Sequence, residues 1–243
     1  MILRALATGG SKGYALSELT ALLQLPHPSV HRVLQQLLSE RMVTRDLESK
    51  RYKLGPLTFE LGLVGSLMHD IRDLCEGPMV SLANEFGDTV YLVVRSGFDA
   101  VCIHRKEGAY PIRTLVLDVG SRRPLGIGAG GLAILSAIDQ SERMEIISRI
   151  SDSIRLTNKL SPTQLEAVCQ ESQKRGVSII ENRVTLGVRA VGAPFRNSLN
   201  QPVGALSVAA LCQRLNTTRI NQISRALKSA CAEVEVLMRR HHR

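Results

Sequence analysis

His27 and His31 stand four residues apart in "LPHPSVHRVLQQL" (25–37), a spacing that lets two imidazoles on one helix face share a zinc ion. Two features weaken that chemistry. Pro28 holds the residue before it extended, so His27 is expected just ahead of the helix, and neither a cysteine nor a carboxylate stands at a recognisable third-ligand spacing. The same stretch offers another chemistry. Pro28 suits a first helical position, where its missing N–H costs nothing, and the first turn then presents Ser29, Val30, His31 and Arg32. Arg32 can grip guanine or pair with a phosphate, and His31 can touch a phosphate or a base edge. Lys50 and Arg51, in and beside the polar stretch "RDLESK", supply two further cations that could sit over a backbone or a minor groove.

Residues 126–131, "GIGAGG", satisfy G-x-G-x-x-G, the spacing of a dinucleotide loop. Their context does not: they follow "GSRRPL" rather than an apolar strand, and the helical run after them, "LAILSAI", is only about two turns long. A glycine-rich turn entering a helix still exposes backbone N–H groups that can hold a carboxylate, and it equally permits close packing on a sheet. His104, Asp118 and Ser136 combine on paper as an acid–base set, yet no nucleophile-elbow sequence places them, and a strand histidine is the plainer reading of His104. The five cysteines (Cys75, Cys102, Cys169, Cys212, Cys231) show no C-x-x-C spacing, which points to reduced core thiols in a cytoplasmic protein and away from a disulfide or zinc framework.

Short elements must position the first group. "ILRALATGG" is a helical stub closed by Gly9 and Gly10, "YALSELTALLQL" a second helix ended by Pro26, and the segment from Pro28 to Glu40 a third that buries Val30, Val33, Leu34, Leu37 and Leu38. Met42–Thr44 and Tyr52–Leu54 flank the charged tip as a hairpin. Helix, helix, turn, helix and hairpin is the order of a winged helix-turn-helix, whose second motif helix enters the major groove. A long helical pattern follows, interrupted at Gly77 and Pro78. Strands are then expected at "TVYLVVRSG", "DAVCIHRKEG" and "PIRTLVLDVG", helices at 130–137, 141–149 and 161–175, strands at "VSIIENR", "VRAVGAPF" and "VGALSVAAL", and a last helix over 217–240 before the basic tail "RRHHR". The fold class is α+β, with a DNA-binding domain over 1–57, a linker or dimerisation helix over 58–76 and an α+β domain over 77–243.

Charge agrees with this division. The chain of 243 residues carries +9, which favours a polyanionic partner, and residues 1–55 hold eight basic side chains against four acidic ones. No secretory pattern opens the sequence and no run of about 18 apolar residues occurs, so neither secretion nor a membrane partner is expected. Neither a metal nor a cofactor is expected.

Four stretches in order, "LSELTALLQLPHPSVHRVLQQLLSERMVTRD" with "RYKLG", "VGSRRPLGIGAGGLAILSA", "RGVSIIENRVTLGVRAVGAPF" and "GALSVAAL", together resemble the IclR family of bacterial transcriptional regulators. The resemblance implies a winged helix-turn-helix joined to a GAF-like effector-binding domain. It also implies a homodimer or tetramer on a promoter palindrome in double-stranded DNA, a small organic acid as effector, and repression rather than activation. Family members carry a longer first helix, so the sequence is expected to begin inside it. Ser29 and Arg32 match the family pattern, whereas His27 and Pro28 replace its usual basic and hydroxyl residues. The family's carboxylate loop falls on Ala129, Gly130 and Gly131, with Leu132 in place of the usual lysine, which leaves the anchoring to backbone amides. Ile180 occupies a position that is acidic in some members, and Val188, Ala190, Ser207 and Ala209 match further lining positions. So apolar a lining favours an acid with a larger apolar body and one carboxylate, aromatic or medium-chain. A nucleotide-dependent enzyme using Gly126–Gly131, and a ligand-sensing module without DNA binding, are the alternatives.

Overall fold

Apolar residues recurring at helical spacing through the first forty positions have one way to leave water, which is to close on each other and on a short hairpin. In this computed structural model, which describes residues 1–10, 12–64, 67–158 and 160–241, they do so. The chain divides into two units, Met1–Asp70 and Ile71–Arg243. The first contains α1 (Ile2–Thr8), α2 (Leu16–Leu23), α3 (His27–Ser39), β1 (Val43–Arg45), β2 (Tyr52–Leu54) and α4 (Pro56–Val64). Leu6, Leu19, Val30, Leu34, Val43 and Tyr52 form its core, each at most 1 % exposed. Full burial of a side chain such as Leu34 contributes about 1.5–3 kcal/mol. Tyr14 exchanges two backbone hydrogen bonds with Tyr52, which adds a bridge to the antiparallel β1–β2 pair.

Two expectations for this unit are corrected. The third helix begins at His27 rather than Pro28: the Pro26 carbonyl accepts the N–H groups of Ser29 and Val30 (3.0 and 3.1 Å) and closes the first turn early. Pro28 is therefore the second helical residue, where its missing N–H is still no loss. Val33, expected in the core, is 38 % exposed, because the buried stripe of α3 is narrow and centred on Val30 and Leu34.

The second unit is built on a six-stranded antiparallel sheet. Along the chain come α5 (Leu67–Phe86), β3 (Thr89–Ser96), β4 (Asp99–Lys106), β5 (Arg122–Pro124), α6 (Ala129–Ala137), α7 (Gln140–Asn158), α8 (Pro162–Arg175), β6 (Ser178–Glu181), β7 (Val188–Arg196), β8 (Pro202–Leu211) and α9 (Thr217–His241). The strand order is β5-β4-β3-β8-β7-β6. Strand alternation splits the core in two. Tyr91 and Val93 join Leu132, Ile134, Leu135 and Ile147 on the face covered by α6, α7 and α8, while Val90 and Leu92 join Met79, Phe86, Leu227 and Val234 under α5 and α9. Asp88, just before β3, ties down α9: its carboxylate accepts from Arg214 (2.8 Å) and Arg219 (3.1 Å).

Here too the structure departs from expectation. Gly77 and Pro78 do not interrupt the helix, since α5 runs through both. An interior proline costs a helix about 3 kcal/mol, and Cys75, Met79, Leu82, Ala83 and Phe86, all buried on the sheet, outweigh it. The expected linker helix over 58–76 falls on α4 and the first half of α5, and residues 65 and 66 within it lie outside the described residues, as do 242 and 243 of the basic tail. "PIRTLVLDVG" is not a strand. The Tyr91 hydroxyl donates to the Thr114 carbonyl (2.5 Å) and accepts the Val116 N–H (3.0 Å), so the segment finds its partners on a side chain and crosses the sheet as a loop. The third strand is instead β5, short and further along.

Arg143 and Glu166 join α7 to α8 by a bidentate pair, 2.8 Å at each contact, and Arg143 also donates to the Ile138 carbonyl at the end of α6 (2.8 Å). The Arg143 guanidinium holds the Glu166 carboxyl below its ordinary pKa, and Gln170 adds a bond in the same sense. A depressed carboxyl stabilises the fold above its unfolded pKa, about 4.3, and that contribution is lost as pH falls through the folded value. Glu166→Ala is therefore expected to cost about 3–5 kcal/mol at neutral pH, because it strands a buried guanidinium, and to flatten the loss of stability below about pH 4. Urea unfolding at pH 7 and pH 3 checks both: equal stability of the two proteins at pH 7 would contradict the assignment.

Candidate functional site

On α3, Ser29, Arg32 and Gln36 occupy i, i+3 and i+7 and point away from Val30 and Leu34. All three are exposed, with His31 and Gln35 on one flank and Val33 on the other. His31 Nε2 lies 3.3 Å from Gln35 Nε2, so a neighbour on its own helix steadies the imidazole. A polar face at the start of a helix, with one aliphatic side chain at its edge, can read hydrogen-bonding base edges and a thymine methyl. Val33 was missed because its spacing reads as core. His27 and His31 share the helix after all, yet among the described residues no group of three or more His, Cys, Asp or Glu side chains could hold a metal ion.

The hairpin tip is pinned by Asp46, whose Oδ1 accepts from both the N–H and the hydroxyl of Ser49 (2.7 Å each). Lys50 follows in the left-handed region (φ 56°) and is exposed. Arg51 turns the other way. Its guanidinium donates to Glu18 Oε2 (2.6 Å) and to the Gly13 carbonyl (3.2 Å), so it fastens the hairpin to the start of α2 instead of standing free at the tip. The expectation that pairs it with Lys50 as an outward cation is corrected on that ground. Glu18 also accepts the Ala15 N–H (2.9 Å), and these two bonds hold its carboxyl below the ordinary range.

In the second unit all eight residues singled out in the sequence, Ala129, Gly130, Gly131, Ile180, Val188, Ala190, Ser207 and Ala209, line one cavity between α6 and the sheet. The N-terminus of α6 opens onto it. Gly128 is the N-cap at φ 77°, no side chain caps the helix, and the first N–H to reach a carbonyl four residues back is that of Leu132, on Gly128 (3.0 Å). The amides of Ala129, Gly130 and Gly131 thus precede the helical ladder, as donors without a partner among the described residues and with the positive end of the helix dipole behind them. Ser207 is 5 % exposed, and among the described residues no hydrogen bond reaches its hydroxyl. That oxygen lies 3.6 Å from where a Cβ on Gly130 would stand. Further walls come from Val93, Ala100, Cys102, Ile127, Val184 and Thr185, and from Val116 and Leu117 of the loop that Tyr91 holds.

Close packing and ligand access coincide at the glycines. A Cβ on Gly130 would meet Val93 Cγ2 at 2.5 Å, and one on Gly131 would stand 3.4 Å from Ala100 Cβ. Sequence reasoning missed Arg123, Tyr91 and the Val116–Leu117 loop, all of which line the cavity. Burial raises the Tyr91 hydroxyl and pushes the Cys102 thiol up to about 11, so neither ionises near neutral pH. His104, Asp118 and Ser136 are not brought together. His104 Nε2 is 2.7 Å from Glu76, Asp118 is 3.5 Å from Arg105, and the Ser136 hydroxyl donates to the Leu132 carbonyl of its own helix (2.7 Å). The strand before "GIGAGG" is the three-residue antiparallel β5, not the parallel strand of a dinucleotide fold.

Comparison with known proteins finds two family models along the chain. The "IclR helix-turn-helix domain" matches residues 1–47, and "Bacterial transcriptional regulator IclR C-terminal" matches residues 66–236. The HTH-type transcriptional regulator KipR of Bacillus subtilis (strain 168) is 30 % identical over 90 % of this chain and 87 % of its own length. The acetate operon repressor of Salmonella typhimurium is 23 % identical over 90 % and 81 %. Among solved structures, a transcriptional regulator of the family from Alicyclobacillus acidocaldarius superposes with a TM-score of 0.80 at 23 % identity, covering 98 % of this chain and 95 % of that one. A homologue from Microbacterium hydrocarbonoxydans complexed with 4-hydroxybenzoate gives 0.75 at 19 % identity over 98 % and 97 %. The chain belongs to the IclR family of bacterial transcriptional regulators.

Proposed function

We propose that this protein is a repressor that binds a promoter palindrome as a homodimer or tetramer and is controlled by an organic acid seated in the α6 cavity. One observation carries the effector half of this reading: a cavity with apolar walls receives the uncapped amides of α6 beside the hydroxyl of Ser207, which has no partner among the described residues. A carboxylate completes both sets of donors, and the aliphatic lining takes the rest of the molecule. The 4-hydroxybenzoate bound to the Microbacterium homologue is an acid of this kind. On the DNA side, Ser29, His31 and Arg32 are assigned to the major groove, Lys50 to the backbone beside it, and Arg51 to holding the hairpin in place through Glu18. Repression follows the named function of relatives such as the acetate operon repressor.

A gel shift on the intergenic DNA upstream of the gene tests the DNA half. Retention is expected at low salt and should fall steeply with ionic strength, since phosphate contacts release counterions. Arg32→Ala should cost about 1–3 kcal/mol of binding. No retention at low salt, with acid binding intact, would instead identify a sensing module without DNA affinity.

Thermal shift tests the effector half. Aromatic or medium-chain acids should stabilise the chain. Gly130→Val, which drives a side chain into Val93 and over the amides, should abolish that response, and Ser207→Ala should weaken it about fivefold or more through loss of one charge-assisted bond. Stabilisation only by glyoxylate-like acids without an apolar body would overturn the assignment of effector class.

A further inference from the structure

Two adjacent arginines on β5 meet opposite fates. Arg122 is fully engaged, with Asp99 at 2.8 Å, the Ser96 hydroxyl at 2.8 Å and the Ser96 carbonyl at 3.2 Å. Arg123 lies opposite Ala100 in the register and turns into the α6 cavity. Its Nη2 donates to the Val116 carbonyl (2.7 Å), and among the described residues no carboxylate pairs with it. A guanidinium has five N–H donors, so most of its capacity is unspent. The surroundings are costly for a cation: burial pulls the Arg123 pKa down, and none of the residues lining the cavity is Asp or Glu.

Among the described residues the cavity therefore has two positive poles and no negative one. The first is the N-terminus of α6 with Ser207, equivalent to about half a charge. The second is the full charge of Arg123, beside Tyr91 and the loop at Val116. The poles are held at successive same-face residues of β3: Gly130 sits on Val93, whereas Arg123 bonds the loop that the Tyr91 hydroxyl holds, and along the strand those two residues stand about 7 Å apart. A monocarboxylate can serve one pole and leaves the other uncompensated among apolar walls, which is a costly arrangement for a half-buried charge.

We infer that the effector is a dicarboxylate with an apolar spacer, one carboxylate on the α6 amides and Ser207 and the other on Arg123, which makes Arg123 the residue that selects diacids over monoacids. This rests on the assignment of the α6 cavity as the effector site. The matching chemistry is two acid groups across a short aliphatic chain or an aromatic ring, and Arg suits the distal one because its fork accepts a carboxylate bidentately.

Calorimetric titration of the full chain with matched pairs, hexanoate against adipate and benzoate against terephthalate at constant ionic strength, tests this. In the wild type each diacid should bind about tenfold or more tightly than its monoacid partner, the worth of one charge-assisted contact. Arg123→Met should erase that preference, read as the diacid-to-monoacid affinity ratio, and Arg123→Lys should restore part of it. Monoacids binding as well as diacids in the wild type, or a preference that survives Arg123→Met, would overturn the role of Arg123 and leave the α6 site standing. Binding of none of the four acids to the wild type would overturn both.

Discussion

The second unit depends on how closely the start of α6 lies on the sheet. Two glycine positions permit the approach: a Cβ on Gly130 would strike Val93 Cγ2 at 2.5 Å, and one on Gly192 of β7 would meet the Ala129 carbonyl carbon and oxygen at 2.7 Å. The Ser178 hydroxyl then fixes the helix end by donating to that same carbonyl (2.5 Å). Everything proposed for the cavity follows from this contact. A helix held further out would leave its first amides to water, and one capped by its own side chain would have one donor fewer to offer. Because α6 is pressed onto β3 and β7 without a cap, its orphan N–H groups are delivered beside Ser207 in an apolar space.

The first unit uses a comparable economy of short elements. Seventy residues cannot build a large core, and the buried set from Leu6 to Tyr52 is small. Polar ties supplement it where the elements meet. Tyr14 zips to Tyr52, Arg51 clamps the hairpin to α2, and Asp46 closes the tip. These ties leave the outer face of α3 free, so Ser29, Arg32 and Gln36 have no structural duty that competes with reading DNA.

Much of this was legible before any coordinates. Element order, the charged hairpin and the misfit of "GIGAGG" with a dinucleotide loop are local properties, and the lining positions came from resemblance over the whole chain. The failures share a cause, which is that a distant partner decides the outcome. Residues 111–120 read as a strand because nothing local reveals that Tyr91 will take up their backbone groups. Pro78 reads as a helix end because the packing that outweighs it belongs to the sheet. Arg122 and Arg123 are indistinguishable in sequence, yet the register with β4 gives one an aspartate and turns the other into the cavity. Arg51 looks like a free cation until Glu18, 33 positions away, is placed against it.

The central claim is that an acid in the α6 cavity and DNA on α3 are coupled in one protein. Coupling of this kind is reciprocal, and typical regulatory couplings correspond to about 5–150-fold in affinity. The direct measurement is operator affinity by fluorescence anisotropy with and without a saturating acid that binds the cavity, in the wild type and in Gly130→Val. The account predicts that the acid weakens operator binding at least about fivefold in the wild type and has no effect in the variant. An acid that fills the cavity and leaves operator affinity unchanged would contradict it.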